Sequence, residues 1–111
     1  MKELELFFEK QINEHQLVVE RSKNMLMDSF LNTVKICIES LKENKKLLFF
    51  GNGGSASDAQ HLLTELSVRF SDDRQAIPAI SLVTDTSTLS AIGNDFGFEF
   101  LFSRQIEAIG N

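Results

Sequence analysis

Cysteine is almost absent from this sequence, since Cys37 is the only one among 111 residues. A single cysteine excludes an intrachain disulfide. Cys37 stands in an apolar run with Val34, Ile36 and Ile38. Free cysteines are among the residues most often buried, so we interpret Cys37 as a buried, unreactive thiol.

An excess of positive charge is also missing. The chain has 11 basic and 16 acidic residues, which gives a formal net charge of −5. Nucleic-acid-binding domains need a basic face, so this balance argues against a nucleic-acid partner. Small anions stay possible ligands, because backbone N–H groups bind phosphate without net positive charge.

Long apolar runs and a secretion signal are lacking as well. No run approaches the roughly 20 apolar residues that span a bilayer. The N-terminal segment Met1–Glu5 contains acidic residues where a signal peptide has a basic region. We therefore expect a cytoplasmic protein with no membrane partner.

Glycine and proline do not occur in the first 50 residues, which permits long uninterrupted helices. Apolar residues recur there at helical spacing and predict helices over residues 3–20 and 24–44, with a junction near Ser22–Asn24. The apolar positions are too many for one narrow stripe. Residues 1–45 are therefore predicted to form a helical segment that packs on its own domain and on a partner subunit.

The pattern changes after residue 45. Leu47–Phe50 is a short apolar run that stops at a glycine-rich loop, as expected for a strand buried in a parallel sheet. The rest of the chain predicts, in order, a helix ending near Phe70, a loop over 71–75, a strand over 77–83, a helix over 84–92, a turn at 93–95 and a helix over 98–109. Alternating strands and helices predict that residues 46–111 form an α/β domain with parallel strands.

Two strands are few for such a domain. A parallel sheet buries its backbone between several neighbouring strands and two layers of helix. The sequence also stops at Gly110–Asn111, where a third strand would follow. We expect a truncated chain, or one that needs partners to complete its sheet.

The loop Gly51–Ser55 is the first candidate site. It follows a buried strand and opens a helix, which is where open α/β sheets bind ligands. Its glycines allow backbone N–H groups to approach a phosphate or a sugar. The loop is neither a P-loop, since no lysine follows, nor a dinucleotide fingerprint. The alternative is a plain strand-to-helix turn in which Ser55 or Ser57 caps the helix.

His61 and Glu65 are the second candidate. Their spacing of four residues places both side chains on one face of the predicted helix. A neutral imidazole and a carboxylate are both zinc ligands, and a carboxylate can also transfer protons. The alternative is a solvated surface pair. A zinc site would need further ligands, and His15 is the only other histidine.

Two polar segments after the second predicted strand are the third candidate. Thr84–Ser87 and Ile92–Asp95 can lie at the same sheet edge as the glycine loop. The alternative, which their composition favours, is an N-cap at Asp85 or Thr86 and a turn at Asn94–Asp95.

Together these segments resemble the phosphoheptose isomerase family. The residues that carry the resemblance are Leu48–His61, Glu65, Arg69–Phe70, Thr84–Ser87, Ala91–Phe98 and Phe102–Ala108. The resemblance is close over residues 46–111, and the N-terminal helices fit in pattern only. It implies the three-layer fold of sugar isomerase (SIS) domains, with a parallel sheet between helices.

The resemblance also implies a function. The family interconverts sedoheptulose 7-phosphate and D-glycero-D-manno-heptose 7-phosphate, which leads to activated heptose for lipopolysaccharide or related surface glycans. The implied substrate-binding residues are Asn52, Gly53, Gly54, Ser55, Glu65, Asn94 and Asp95. His61 and Glu65 match ligands of a zinc cofactor, and Glu65 also matches the catalytic base. The implied partners are a sugar phosphate and further copies of the chain in a homotetramer.

Two elements of that family are missing from these residues. One is a Ser/Thr-rich loop that binds the phosphate, and the other is a later helix whose Gln and His complete the zinc site. We therefore expect the 111-residue chain to be inactive by itself. One alternative is a non-catalytic SIS protein that binds the replication initiator, and another is a truncated remnant that only oligomerises. The regulators lack an acidic residue at the position of Glu65, so its presence favours the enzyme.

Overall fold

A computed structural model describes residues 1–111. The chain divides into two units, Met1–Ile38 and Glu39–Asn111. None of the helices is both long enough and apolar enough to cross a membrane.

Two helices follow one another with a single residue between them. Helix α1 spans Lys2–Met25 and helix α2 spans Met27–Lys42. Leu26 keeps a near-helical backbone, with φ −104° and ψ −3°, and its N–H donates to the Ser22 carbonyl at 2.9 Å. The junction predicted near Ser22–Asn24 lies slightly further along the chain, at Leu26, and Ser22–Asn24 themselves belong to α1. Polar residues that keep their N–H group do not end a helix as proline does.

Neither α1 nor α2 contains a buried side chain. Large apolar side chains instead lie open to solvent along both helices, for example Leu4 and Phe8, each 64% exposed, and Phe30, 62% exposed. Exposed apolar surface on this scale is characteristic of an interaction surface. Both helices were predicted from the sequence, and their packing on other parts of the protein stays a prediction.

A strand, a helix and a second strand form the centre of the second unit. Strand β1 spans Leu47–Phe49, helix α3 spans Gly54–Ser67 and strand β2 spans Ala79–Ser81. The strands are parallel, with Leu48 opposite Ile80, and α3 contacts both of them. The predicted α/β architecture with parallel strands is confirmed. The second strand is shorter than predicted, and before its start the N–H of Ile77 donates to the carbonyl of Leu66 and not to the sheet.

Three short helical elements follow β2. They are helix α4 over Thr86–Asp95, a 3-10 turn over Phe98–Phe100 and helix α5 over Ser103–Ile109. The turn predicted at 93–95 was wrong, because these residues form the last turn of α4. The helix predicted over 98–109 is interrupted, and the interruption places Leu101 in the core.

The core of the second unit is small and draws on several elements. Its buried apolar side chains are Ala59 on α3, Leu82 after β2, Ile92 on α4 and Leu101 before α5. The rings of Phe50 and Phe102 contact each other next to it, with centroids 4.8 Å apart. Helix α4 and the loop that joins β1 to α3 border the same cavity.

Candidate functional site

The glycine loop turns sharply from β1 into α3. A side chain at Gly51 would place its Cβ only 2.6 Å from the Cβ of Ser55, so this position requires glycine. Gly53 has φ 58°, in the left-handed region that favours glycine. It is the N-cap of α3, with no side-chain hydrogen bond to the first turn. The predicted caps Ser55 and Ser57 were wrong, because both residues lie inside α3.

A cavity of about 430 Å³ opens between this loop and α4. Asn52 and Gly53 line it from the loop, and Thr86 and Ser90 line it from α4. The rest of its wall is mainly apolar and includes Val83, Leu89, Phe98, Leu101 and Phe102. Pockets with a few polar groups on an apolar wall are typical small-molecule sites. Gly54 and Ser55, also predicted to bind substrate, do not line the cavity.

His61 and Glu65 contact each other on α3. His61 Nε2 and Glu65 Oε1 lie 2.9 Å apart, which is hydrogen-bond distance. The His61 side chain is 72% exposed, whereas that of Glu65 is 28% exposed. Neither residue lines the 430 Å³ cavity. The two residues therefore form a pair of their own on α3, away from that cavity.

The donor atoms of this pair suit a zinc ion in kind. Imidazole nitrogen and carboxylate oxygen are common zinc ligands, and structural and catalytic sites use three or four protein ligands. No cluster of three or more His, Cys, Asp or Glu side chains that could hold a metal occurs in residues 1–111. The pair thus fits a zinc site as half of its ligands.

Asn94 and Asp95 lie in the last turn of α4. The side-chain amide of Asn94 donates to Asp95 Oδ1 at 2.9 Å. Asp95 lines a second cavity of about 410 Å³, whose other charged residues are Asp85 and Arg104. The guanidinium of Arg104 stacks over the ring of Phe96, 4.1 Å from its centroid. The structure therefore does not bring Asp95 together with the glycine loop, because they border different cavities.

Asp85 has a structural part in this region. Its carboxylate caps α4 by accepting hydrogen bonds from the Thr88 N–H at 3.1 Å and the Thr88 hydroxyl at 2.7 Å. These two bonds, the hydroxyl first, lower the pKa of Asp85 below its ordinary value. The predicted cap at Asp85 is confirmed, whereas Thr86 is the first residue of α4.

Sequence reasoning missed two residues that hold these elements in place. Arg74 donates to carbonyl groups at the C-terminal end of α3. Gln105 donates from Nε2 to the carbonyls of Leu82, at 3.0 Å, and Leu101, at 2.8 Å. Gln105 thus joins the end of β2 to α5. No spacing rule signals either contact, because the partners lie in separate elements.

Comparison with known proteins gives consistent results at three levels. The family model described as SIS domain matches residues 10–109. Phosphoheptose isomerase 1 of Campylobacter jejuni is 52% identical over 103 residues, which cover 93% of this chain and 55% of that protein. Phosphoheptose isomerase of Paramagnetospirillum magneticum is 49% identical over 104 residues, which cover 94% of this chain and 54% of that protein.

Solved structures give the same answer for the fold. Phosphoheptose isomerase from Neisseria gonorrhoeae superimposes with a TM-score of 0.87 at 33% identity, over 97% of this chain and 55% of that one. The enzyme from Francisella tularensis superimposes with a TM-score of 0.86 at 32% identity, over all of this chain and 58% of that one. The chain spans just over half the length of the relatives it matches.

Proposed function

Since this chain belongs to the SIS-domain family, we propose that the protein is a phosphoheptose isomerase. It converts sedoheptulose 7-phosphate to D-glycero-D-manno-heptose 7-phosphate, an aldose–ketose isomerisation through an enediol. The product supplies the synthesis of heptose for lipopolysaccharide or a related surface glycan, and the reaction takes place in the cytoplasm.

The observation that supports this proposal most directly is the His61–Glu65 pair. The chain is 49–52% identical to two relatives named phosphoheptose isomerase, and it carries a carboxylate at position 65 in contact with His61 at 2.9 Å. A protein that only binds the replication initiator has no need for a carboxylate at this position. The pair therefore favours the enzyme over that alternative.

The proposed chemistry assigns a task to each residue of the site. Glu65 moves a proton between the two adjacent carbons that exchange carbonyl and hydroxyl groups, as a positioned carboxylate can. Asn52 and the loop backbone of Gly53–Ser55 bind the sugar part of the substrate, and Asn52 and Gly53 do so from the wall of the 430 Å³ cavity. Asn94 and Asp95 are assigned to sugar hydroxyl groups from the family resemblance alone, because Asp95 borders the second cavity and not the one beside the glycine loop.

We assign His61 and Glu65 as ligands of a zinc ion. Such an ion would act as a Lewis acid that polarises the sugar oxygens during the isomerisation. His61 and Glu65 would supply two of the ligands. No third His, Cys, Asp or Glu of residues 1–111 lies close enough to join them, so the other ligands would come from elsewhere. Measurement of zinc in the purified protein tests this assignment, since the initiator-binding alternative requires none.

The protein is further proposed to assemble as a homotetramer through α1 and α2. The support is the exposed apolar surface of both helices, which includes Phe8 and Phe30. Burial of such surface stabilises a complex by about 25 cal/mol per Å² before the cost of association is subtracted. Multi-angle light scattering of the protein expressed from its complete gene gives the oligomeric state, and a stable monomer would contradict this assembly.

An isomerase assay on the protein expressed from its complete gene tests the proposed function. We expect conversion of sedoheptulose 7-phosphate by the wild type and a loss of turnover of roughly 10²–10⁴-fold in Glu65→Gln, which keeps the shape but removes the base. Glu107→Gln is the matched control, because Glu107 is exposed on α5. Equal turnover in Glu65→Gln and Glu107→Gln would show that Glu65 is not the catalytic base. No turnover in the wild type would favour the initiator-binding alternative.

A further inference from the structure

The contacts at the C-terminal end of α3 point to a role for a residue outside the proposed chemistry. We propose that Arg74 is a positioning residue, which holds Glu65 in contact with His61. The proposal rests on the proposed function only in taking Glu65 as the base. The contacts themselves do not depend on which reaction the protein catalyses.

Helix α3 ends with carbonyl groups that have no partner inside the helix, as every helix does. The N–H of Val68 donates to the carbonyl of Thr64 at 2.9 Å. The next two carbonyls receive their hydrogen bonds from Arg74: Nη2 donates to Glu65 O at 2.5 Å, and Nη1 donates to Leu66 O at 2.8 Å. No backbone N–H donates to the Glu65 carbonyl. Arg74 alone therefore satisfies this group.

Arginine is well suited to this task. Its planar guanidinium presents several donors in a fixed geometry, which one lysine ammonium does not reproduce. Its positive charge is also favourable at the negative end of the helix dipole. Nη1 donates to Gln75 O at 3.0 Å as well, so the guanidinium is fixed to its own loop. The N–H of Ile77 adds a bond to Leu66 O at 3.1 Å.

The position of Glu65 follows from this arrangement. Glu65 belongs to the last turn of α3, and its carboxylate reaches back one turn to His61. If the last turn loosens, the Cα of Glu65 moves and the 2.9 Å contact lengthens. A displacement of about 1 Å at a catalytic group can cost on the order of 10²-fold in rate. Arg74 contacts the backbone carbonyl of Glu65 and neither side chain of the pair, so it acts on the reaction through the position of Glu65.

The first test measures the contact without any assay of activity. In the protein expressed from its complete gene, with divalent metals removed by chelation, ¹⁵N spectra of the histidine rings are recorded at one alkaline pH. His61→Ala identifies the His61 signals, and Glu65→Gln shows how they change when the carboxylate is lost. In Arg74→Ala we expect the His61 signals to move toward those of Glu65→Gln. In Arg74→Lys we expect the His61 signals at an intermediate position, since the lysine ammonium does not reproduce the planar arrangement of donors of the guanidinium.

The second test measures turnover of sedoheptulose 7-phosphate. We expect Arg74→Ala to lower turnover roughly 10- to 100-fold and Arg74→Lys to recover part of it. The control is Asp73→Ala, which alters an exposed neighbour in the same loop and should leave turnover and the His61 signals unchanged. Circular dichroism identifies variants that do not fold, and Arg74→Lys then carries the test.

The outcomes separate this proposal from the proposed function. His61 signals that stay at their wild-type positions in both Arg74 variants would overturn the positioning role, even if turnover falls. If the His61 signals shift in the Arg74 variants but the wild-type protein has no isomerase activity, the positioning role is supported and the isomerase is refuted. Shifted signals and reduced turnover in the same variants would support both.

Discussion

The helices of the first unit and the α/β core of the second unit differ in how far their apolar side chains are buried. Along α1 and α2 no side chain is buried, although Leu, Phe, Val and Ile recur throughout. In the second unit Leu82 is 2% exposed, and Ile92 and Leu101 are each 8% exposed. Both regions show the periodicity that predicts packing. Periodicity therefore predicts an apolar face, and it does not tell whether the chain itself buries that face.

The strongest test of this contrast compares two leucines. Leu82→Ala should lower the free energy of unfolding by about 2–5 kcal/mol, because it removes buried methyl groups and leaves a cavity. Leu17→Ala on α1, where the side chain is 47% exposed, should change it by about 0.5 kcal/mol or less in a monomeric sample. Urea denaturation at a concentration where light scattering shows monomer measures both. Equal losses would mean that α1 is packed within a single chain.

A second prediction concerns assembly. Phe30→Glu places a charge on the exposed apolar surface of α2 and should raise the dissociation constant of the oligomer by about tenfold or more, equivalent to ~1.4 kcal/mol. Phe70→Glu is the control, since Phe70 is 79% exposed but belongs to the second unit. Sedimentation equilibrium measures the change. If Phe70→Glu dissociates the oligomer and Phe30→Glu does not, the interface lies in the second unit and not on α2.

The smallest expected effect lies within the second unit and depends on pH. The pKa of Asp85 is lowered in the folded protein by the hydrogen bonds from Thr88, so the ionised cap adds stability above the ordinary aspartate pKa. That contribution is lost as the pH falls below about 4 and through the lowered pKa. In Asp85→Asn the amide also caps but does not titrate. The difference in urea midpoint between the two proteins should therefore change only in acid, and a constant difference would contradict the assignment.

Much of the fold could be predicted because its signals are local. A continuous apolar run followed by glycines predicted β1 and the loop, and the spacing of His61 and Glu65 predicted their contact directly. The end of α4 was missed because Gly93–Asp95 has the composition of a turn, whereas in the structure Ile92 is buried and its carbonyl accepts a hydrogen bond from the Phe96 N–H, which continues the helix past Gly93. Local composition carries no information about that burial.

The supporting contacts could not be predicted for a related reason. Arg74 reaches back nine residues to the Glu65 carbonyl, and Gln105 reaches back 23 residues to Leu82. Such pairs depend on where separate elements end in space. The separation of Asp95 from the glycine loop has the same origin, because only the orientation of α4 decides which cavity each residue borders.

The three glycines of the loop differ in how much sequence change they can tolerate. At Gly51 any Cβ collides with Ser55, so a library of variants should return glycine alone. At Gly53 there is open space, but the backbone angle disfavours other residues. At Gly54 neither constraint applies, since no atom lies within 4 Å of an added Cβ. Folding alone would therefore tolerate alanine at position 54. If functional selection still returns only glycine there, the requirement comes from ligand binding and not from the fold.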